Sequence, residues 1–288
     1  MVYRDDEAAV AREFSELAAG LGYECSWLNR DQVLSRSHAI NPDGLIGGLW
    51  SSTELTVDPR VTIASLPAFL HERFGVDIRF GCAVHSIDLP AVEAGNERWA
   101  VEQAVVCSGD DFETLYPETF ATSGLTRVKL QMLRTAPQPE GWQLGPALAA
   151  GLSLRFYSTF GVCTTWPSLR NRIQQETPEY DRWGIHGLVS QTAQGELTLG
   201  DSHEYGACVD VFNREEVDEL ILGYIHGFLN APVTKIAQRW HGVYAKHPEK
   251  PYLAITPAPG VRIVTSPGGS GMTLSFGIAE ETFGNRDL

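Results

Sequence analysis

The stretch "SPGGSGMTLSFGIAEETF" (Ser266 to Phe283) places a glycine cluster directly before a predicted helix, near the C-terminal end of the chain. The β-branched run Val261 to Thr265 predicts a strand that leads into the cluster, and Met272 to Thr282 can form the helix. Backbone N–H groups at the start of a helix lack partners within it, and they favour a negatively charged or electron-rich ligand. The stretch therefore indicates either a ligand-binding strand, loop and helix or a packing turn without a ligand.

Length, composition and charge narrow the class of protein. The chain has 288 residues, of which 43% are hydrophobic, enough for one large domain or two interleaved ones. Its formal net charge of -14 argues against nucleic acid as a partner, because such binding needs a basic surface. These features favour a soluble acidic enzyme.

The sequence carries no sign of membrane insertion, secretion or disulfide bonding. Its apolar runs fall short of the roughly 20 residues needed to span a bilayer, and the first residues lack the pattern of a signal peptide. We therefore expect a cytoplasmic protein without a membrane span. The five cysteines are odd in number, widely spaced and outside any C-x-x-C pair, so they predict neither a disulfide framework nor a zinc site.

The first third of the chain predicts an α/β layer. Asp5 to Leu21 has an amphipathic pattern that ends at glycines, and "TVDPRVTIASLPAFLHERFG" predicts a second helix bent or broken at Pro67. The segments "VDIRFGCAVHSIDL" and "RWAVEQAVVCSGDDF" each predict one strand, and the second of these strands ends at Ser108 and Gly109. Helices and strands that follow one another in this way are typical of α/β folds.

The middle of the chain predicts a mostly antiparallel sheet. We expect strands in "TRVKLQMLRTAP", "GLSLRFYSTF", "WGIHGLVSQTA" and "GELTLGDSHEYG", separated by turn residues. The segment "NREEVDELILGYIHGFLN" predicts an amphipathic helix with Asn213 as its cap and Glu216 three residues later. The strands in "VTKIAQRWHGVYA" and "GVRIVTSP" then lead to the glycine cluster.

Short motifs exclude several kinds of chemistry. The segment "GDSHEYG" contains Asp201, His203 and Glu204, but no second spaced motif completes a metal-ligand set, so we expect no metal site. A nucleophilic G-x-S-x-G turn and a phosphate-binding G-x-x-x-x-G-K-[ST] loop are both absent from the sequence. The segment "RWHGVYAKHP" concentrates cationic and aromatic side chains. It predicts either an anchor for an anionic substrate or a solvated strand end.

Taken in order, several blocks resemble the FAD-dependent oxidoreductases of the D-amino-acid oxidase, glycine oxidase and sarcosine oxidase superfamily. These blocks are "STELTVDPR", "AVVCSGDDF", "RVKLQMLRTAP", "WGIHGLVSQTAQGELTLGDSHEYG", "RWHGVYAKHP" and "SPGGSGMTLSFGIAEE". More narrowly, they resemble a bacterial subgroup proposed to act on aminophosphonates. The resemblance implies a flavoprotein that oxidises the C–N bond of a small amine, amino acid or aminophosphonate by hydride transfer to FAD, with imine hydrolysis. It leaves the electron acceptor open between oxygen and another oxidant.

The resemblance assigns cofactor and substrate contacts residue by residue. It implies FAD contacts at the residues Val84, Cys107, Ser108, Gly109, Gly268, Gly269, Ser270, Gly271, Met272 and Thr273. Relatives that bind a carboxylate commonly have G-x-R where this chain has Gly242-Val243-Tyr244. The candidate substrate contacts are therefore Tyr244, Lys246, His247, Lys129, Gln131 and His186, for each of which ordinary packing in the sheet is the alternative. The resemblance assigns no catalytic acid or base.

One departure from the family pattern lies at the N-terminus. Relatives begin with a strand and a G-x-G-x-x-G loop, which this sequence lacks. We therefore expect an incomplete Rossmann-like FAD-binding domain formed by residues 1–125 and 236–288, interleaved with a substrate-binding domain of residues 126–235. A truncated, non-catalytic remnant that does not retain FAD is the alternative function. A nicotinamide-dependent reductase is disfavoured, because it needs the same missing motif.

Overall fold

The structure is a computed structural model that describes residues 1–284, so the last four positions of the predicted C-terminal segment, 285–288, lie outside the described residues. Short 3₁₀ turns occur at Ala18–Leu21, Ser158–Val162 and Gly268–Ser270. The α-helices of the described chain are α1 (Asp5–Leu17), α2 (Arg30–Arg36), α3 (Pro59–Phe74), α4 (Pro117–Ala121), α5 (Leu152–Phe156), α6 (Trp166–Glu176), α7 (Pro178–Arg182), α8 (Glu215–Phe228) and α9 (Gly271–Gly284).

Strands lie between these helices along the described chain. They are β1 (Cys25–Asn29), β2 (Gly47–Ser51), β3 (Val84–Asp88), β4 (Ala91–Ala94), β5 (Glu97–Ala100), β6 (Ala104–Val106), β7 (Thr126–Thr135), β8 (Leu148–Ala149), β9 (Leu188–Gln191), β10 (Leu197–Gly200), β11 (Glu204–Gly206), β12 (Ile236–Lys246), β13 (Leu253–Ala258) and β14 (Val261–Thr265).

Antiparallel pairing dominates the sheets, as the sequence predicts for the middle of the chain. The largest sheet has the order β11-β7-β10-β9-β8, with β12 also paired to β7. Smaller sheets join β1 to β2 and β3 to β4 to β5, all antiparallel. The sheet β13-β14-β6 is mixed, because β14 runs parallel to β6. Mixed helix and sheet content with antiparallel sheets confirms the predicted fold class.

The chain divides into two compact units. The first unit comprises Met1–Ser65, Leu130–Glu204 and Val211–Gly242, and the second comprises Leu66–Lys129, Tyr205–Asp210 and the residues from Val243 onward. A large apolar core in the first unit includes the buried faces of α1, α6 and α8 and of β9 and β10. A smaller core in the second unit contains Val106, Phe120, Val261 and Ile263. The second unit therefore contains the parallel pair of strands and the glycine cluster.

Helix α8 forms where its apolar spacing predicts it, but it begins differently. Its buried residues Val217, Ile221 and Ile225 are spaced by four and form one stripe. The predicted cap at Asn213 is wrong, because Arg214 is the capping position and makes no side-chain capping bond. Asn213 Oδ1 instead lies 3.0 Å from Nδ1 of His241. A contact distant in sequence thus replaces the local cap.

The predicted strand in "GLSLRFYSTF" is wrong, because the segment forms α5 and a 3₁₀ turn. Leu152, Ser153 and Leu154 are consecutive and all buried, so these three residues show no alternation of buried and exposed positions. Short apolar runs of this kind do not separate strand from helix by their period. The surrounding core decides the conformation here.

Three further predictions differ in detail from the structure. The strand predicted around Gly81 begins only at Val84, since Gly81 adopts a left-handed φ of 67° in a turn. The segment "RWAVEQAVVCSGDDF" contains two strands, β5 and β6, rather than one. Helix α3 continues through Pro67 without a break and ends at Phe74, and the next residue, Gly75, has a φ of 69°. Among residues 1–284, no helix is both long and apolar enough to cross a bilayer.

Candidate functional site

The two strand ends that the sequence singles out lie side by side in the second unit. Strands β6 and β14 are parallel, with Val261 opposite Ala104 and Ile263 opposite Val106. At the end of β14, the Thr265 hydroxyl donates a hydrogen bond of 2.9 Å to the carbonyl oxygen of Gly109. The predicted segments Cys107 to Gly109 and Gly268 to Thr273 therefore leave the same carboxyl edge, which is where open α/β sheets bind ligands.

Glycine is required at two positions of this edge by backbone conformation. Gly109 has a φ of 65° and Gly268 a φ of 59°, both in the left-handed region that side chains disfavour. A Cβ built on either residue would meet no atom within 4 Å. The backbone at both strand ends is thus open to the approach of a ligand rather than packed against the protein.

Ser266 is a residue of this edge that sequence reasoning missed. It is buried, it has a left-handed φ of 64°, and its hydroxyl has no hydrogen-bond partner in the part of the chain that the structure describes. Left-handed serine is uncommon, and buried hydroxyl groups nearly always have partners. Its position between the strand and Pro267 was the available signal. The loop therefore contains a hydroxyl group without a hydrogen-bond partner next to the glycine cluster.

Two cavities are lined by residues of β6 and by Cys107, which follows it. One of about 340 Å³ lies under α9 and is lined by Cys107, Gly109, Thr265 and Ile278, among mostly apolar side chains. Another, of about 560 Å³, is lined by Val84 of β3 together with Cys107 and Ser108. The structure therefore brings the predicted cofactor contact Val84 onto the same cavity wall as the end of β6. Burial raises the pKa of the Cys107 thiol, which favours its neutral form.

Two predicted substrate contacts, Tyr244 and Lys246, lie beside the glycine cluster within the same unit. A Cβ built on Gly269 would lie 3.5 Å from the phenolic oxygen of Tyr244. Lys246 forms an isolated antiparallel bridge with Pro267. Its Nζ lies 3.4 Å from the hydroxyl of Tyr205 and 5.3 Å from the centre of the Tyr205 ring. Burial lowers the pKa of Lys246, because it penalises the charged ammonium.

His247 has a local structural task. Its Nδ1 accepts hydrogen bonds of 3.0 Å from the backbone N–H groups of Glu249 and Lys250. Its Nε2 would lie 3.6 Å from a Cβ on Gly124. An accepting Nδ1 requires an unprotonated nitrogen at that position. His247 thus holds a turn, and its role as an anion anchor remains a prediction.

Gln131 is fully engaged in a buried network of the first unit. Its Nε2 donates to Asp218 Oδ1 at 2.7 Å and to the carbonyl of Arg214 at 3.0 Å, while its Oε1 accepts from the Arg214 N–H at 2.8 Å. Asp218 Oδ2 also accepts from Arg239 Nε at 2.9 Å. These bonds use both donors of the amide, so they favour the packing alternative for Gln131.

Lys129 and His186 are the remaining substrate candidates. Lys129 is fully buried in β7, in the second unit. His186 belongs to a buried aromatic group of the first unit. The centre of its ring lies 3.9 Å from the ring centre of Phe156 and 5.0 Å from that of His203. Asp201 follows β10, and its carbonyl accepts from the His186 N–H at 2.9 Å. Burial raises the pKa of the Asp201 carboxyl to about 7.

Comparison with known proteins identifies the family. The model of the DAO family, described as FAD dependent oxidoreductase, matches residues 1–283. The chain therefore belongs to the DAO family of FAD-dependent oxidoreductases, whose cofactor is FAD. No curated protein sequence matches the chain.

Solved structures support the same fold. Glycine oxidase from Geobacillus kaustophilus is 15% identical, with a TM-score of 0.70, and the match covers 96% of this chain and 67% of that one. L-Proline dehydrogenase from P. horikoshii is also 15% identical, with a TM-score of 0.68, over 99% of this chain and 71% of that one. Glycine oxidase from Bacillus cereus has a TM-score of 0.69 at 15% identity, over 98% and 71%. Identities this low establish likeness of fold alone.

The residues at the edge of β6 and β14 fit an FAD molecule. FAD combines an anionic pyrophosphate with a flat ring system. The open backbone at Gly109 and Gly268 and the unpartnered hydroxyl of Ser266 suit polar contacts with it. The mostly apolar cavity under α9 suits contact with a ring. Residues Val84, Cys107 to Gly109 and Ser266 to Thr273 would hold the cofactor.

Proposed function

We propose that this chain oxidises the C–N bond of a small amine that carries a phosphonate group, with FAD as the cofactor. The observation that carries the proposal is the position of Tyr244 and Lys246 beside the glycine cluster in the second unit. A phenol and an ammonium thus lie next to the residues that would hold the flavin. The names of the neighbours, glycine oxidase and L-proline dehydrogenase, support an amine as the substrate class.

The type of cation favours a tetrahedral anion over a carboxylate. An arginine presents a planar fork that matches the two oxygens of a carboxylate, whereas the lysine ammonium acts as a compact point charge with three donors. This chain has Tyr244 where carboxylate-binding relatives have the arginine of G-x-R, and its cation, Lys246, lies two residues further along β12. We infer that Lys246 binds the phosphonate and that the Tyr244 hydroxyl donates a hydrogen bond to it.

When bound, FAD supplies the acceptor for the hydride that leaves the carbon next to the amine nitrogen. The substrate imine then takes up water and gives a carbonyl compound and the free amine or ammonia. The chain's own contribution is to bind the anionic end of the substrate, which fixes the position of the reacting carbon. The glycines also leave the backbone at Gly109 and Gly268 open to the cofactor. A neutral amine needs no protein base for this step, so no catalytic acid or base is proposed.

Lys246 gives the proposal a pH dependence. An anion binds best to the protonated ammonium, and burial lowers the pKa of this lysine. Phosphonate affinity is therefore expected to fall as pH rises through that lowered pKa. This fall begins at a lower pH than an ordinary lysine would give. Lys246→Met should abolish both the affinity and its pH dependence. Lys250→Met provides the matched control, because Lys250 is exposed and lies in the turn after His247.

The experiment has two stages. First, the purified chain is mixed with FAD, and binding is measured by the flavin absorption that remains after gel filtration. Second, flavin bleaching is recorded without oxygen for 2-aminoethylphosphonate, glycine and ethylamine. We expect the chain to retain FAD, and we expect 2-aminoethylphosphonate to bleach the flavin faster than glycine or ethylamine does. A chain that stays colourless would favour the remnant that does not retain FAD, while bleaching by glycine alone would reject the phosphonate and leave the amine oxidation standing.

A further inference from the structure

Tyr205 is an exposed residue of the second unit that lies against the proposed phosphonate anchor, Lys246. Tyr205 belongs to β11 and Lys246 to β12, and both strands pair with β7. The Lys246 Nζ lies 3.4 Å from the hydroxyl oxygen of Tyr205 and 5.3 Å from the centre of its ring. The residues assigned above to cofactor and substrate do not include Tyr205.

Three polar side chains meet at one face of β12. Alternate residues of a strand point to the same side, so Tyr244 and Lys246 share a face. The Lys246 side chain reaches Tyr205, which therefore borders that face. Gly269 lies beside Tyr244, and Pro267 pairs with Lys246. The three side chains thus lie next to the glycine cluster.

The contact with Lys246 fixes the role of the Tyr205 oxygen. A lysine ammonium has hydrogen-bond donors and no acceptor, so the phenol oxygen accepts in this contact. A hydroxyl that accepts in this way can also donate its own proton to an oxygen of a bound anion. The ring face next to the ammonium further stabilises its positive charge. Because Tyr205 is 53% exposed, a dissolved anion can reach it.

The segment after Tyr205 is held to the glycine edge by Arg127. The Nη1 of Arg127 donates a hydrogen bond of 2.7 Å to the carbonyl oxygen of Ala207. Its Nε and Nη2 donate to the carbonyl oxygen of Asp110, at 3.1 and 2.8 Å, and Asp110 follows Gly109. One guanidinium therefore joins the segment of Tyr205 to the loop assigned to the cofactor. Donors that are held in place lose less freedom when an anion binds.

Net charge does not decide which anion these two segments select. Among Tyr205–Asp210 and residues 243–250, the carboxylates are Asp210 and Glu249, and the ammonium groups are Lys246 and Lys250. The two signs balance. Selection between anions of similar charge therefore depends on the number and position of the donors around Lys246.

We propose that Tyr205 is a specificity-determining residue, whose hydroxyl donates a hydrogen bond to the third oxygen of a phosphonate. Lys246, Tyr244 and Tyr205 are three donor groups, which matches the three oxygens of a phosphonate, whereas a carboxylate has two. The proposal rests on the function proposed above, in which Lys246 and Tyr244 bind the phosphonate. It adds the group that separates a tetrahedral anion from a planar one.

Two anions without an amine test the proposal. The affinities of methylphosphonate and acetate are measured by proton NMR titration of their methyl signals, with excess FAD present. The variant Tyr205→Phe keeps the ring beside Lys246 and removes the hydroxyl at an exposed position, so the fold is not disturbed. Tyr23→Phe is the matched control, because Tyr23 is 46% exposed and belongs to the first unit.

We expect Tyr205→Phe to weaken methylphosphonate binding about five- to tenfold, because a hydrogen bond to a charged group is lost. Acetate affinity should change by less than about twofold, since Lys246 and Tyr244 serve its two oxygens. Tyr23→Phe should change neither affinity. Equal weakening of both anions by Tyr205→Phe would overturn the proposal. An unchanged methylphosphonate affinity, or no binding of methylphosphonate to the unmodified chain, would also overturn it.

Flavin bleaching by 2-aminoethylphosphonate separates this proposal from the oxidation itself. Binding of methylphosphonate and acetate requires no oxidation, because neither contains an amine. Selective loss of methylphosphonate in Tyr205→Phe, with no bleaching by the unmodified chain, would support the role of Tyr205 and reject the amine oxidation. Bleaching that depends on substrate concentration in the same way for both chains would support the oxidation and overturn the role of Tyr205.

Discussion

Helices α8 and α9 are both 14 residues long and both contain many apolar side chains, yet only α8 is part of a core. Helix α8 buries five residues along one side. In α9, by contrast, Thr282 is the buried residue among positions 271–284, while Met272, Phe276 and Phe283 are exposed by 55%, 78% and 61%. Apolar content therefore does not bury a helix by itself.

The spacing of side chains explains the difference. In α8, the first turn is charged, and apolar residues recur every three or four positions, so the helix has an exposed face and a buried face. In α9, three glycines and small hydroxyl residues interrupt the apolar positions, so no stripe forms. Helix α8 stabilises the first unit, whereas α9 follows the glycine cluster and lines the cavity under it.

The largest expected effect comes from truncating one side chain in each helix. Ile221→Ala in α8 should lower the free energy of unfolding by about 2–5 kcal/mol, because it leaves a cavity in a closed core. Phe276→Ala in α9 should change it by about 0.5 kcal/mol or less, since that ring is exposed. Urea unfolding followed by circular dichroism measures both. Similar losses for the two variants would break the comparison.

A second prediction concerns the polar network that fixes the start of α8. Gln131→Ala should lower the free energy of unfolding by about 1–3 kcal/mol, because it leaves the Arg214 backbone and Asp218 short of buried hydrogen bonds. Gln174→Ala, at an exposed position on α6, is the control and should have little effect. The measurement is again urea unfolding. A stable Gln131→Ala variant with weakened phosphonate binding would instead support the substrate role.

A third prediction uses Asp201, in the interior of the first unit. Because its pKa is raised to about 7 in the folded state, its neutral form stabilises the fold at acidic pH, and this contribution is lost as pH rises towards 7. Asp201→Asn should remove that slope. The difference in unfolding free energy between the variant and the unmodified chain should shift in favour of the variant by about 2 kcal/mol from pH 5 to pH 7. A pH-independent difference would contradict the buried carboxyl.

The smallest expected effect on stability distinguishes two glycines around α9. Gly268→Ala forces a side chain into the left-handed region and should cost about 1–2 kcal/mol, whereas Gly277→Ala in the helix should gain about 1 kcal/mol or less. Both are measured by thermal unfolding and by FAD retention in gel filtration. Loss of FAD with Gly268→Ala alone is expected if the cluster holds the cofactor. Equal retention by both variants would speak against that role.

The sequence predicted the parts of the fold whose signal is local. The amphipathic stripe of α8, the strands β7 and β9 and the strand, glycine cluster and helix at the C-terminus all occur where their patterns indicate. Local prediction was wrong where distant contacts decide the conformation. The first three residues of α5 are all buried, and Asn213 contacts His241 rather than capping its own helix.

The same division holds for the candidate site. Resemblance indicated Gly109 and Gly268 from their motifs, and their left-handed φ angles agree with a need for glycine. It could not separate Lys246, which lies beside the glycine cluster, from Gln131, whose amide is used in a buried network. Ser266 carried no motif, because the lack of a hydrogen-bond partner is a property of the surroundings and not of the residue.

The sequence by itself determined the family, the mixed class of fold and the elements with a strong period, because these depend on residues close together in the chain. Only the tertiary structure decided which strand ends meet, since the pairing of β6 with β14 joins residues 157 positions apart, as in Val261 and Ala104. It also decided that α8 is buried and α9 exposed. Burial depends on what the rest of the chain places against a helix, and that is fixed only when the whole chain has folded.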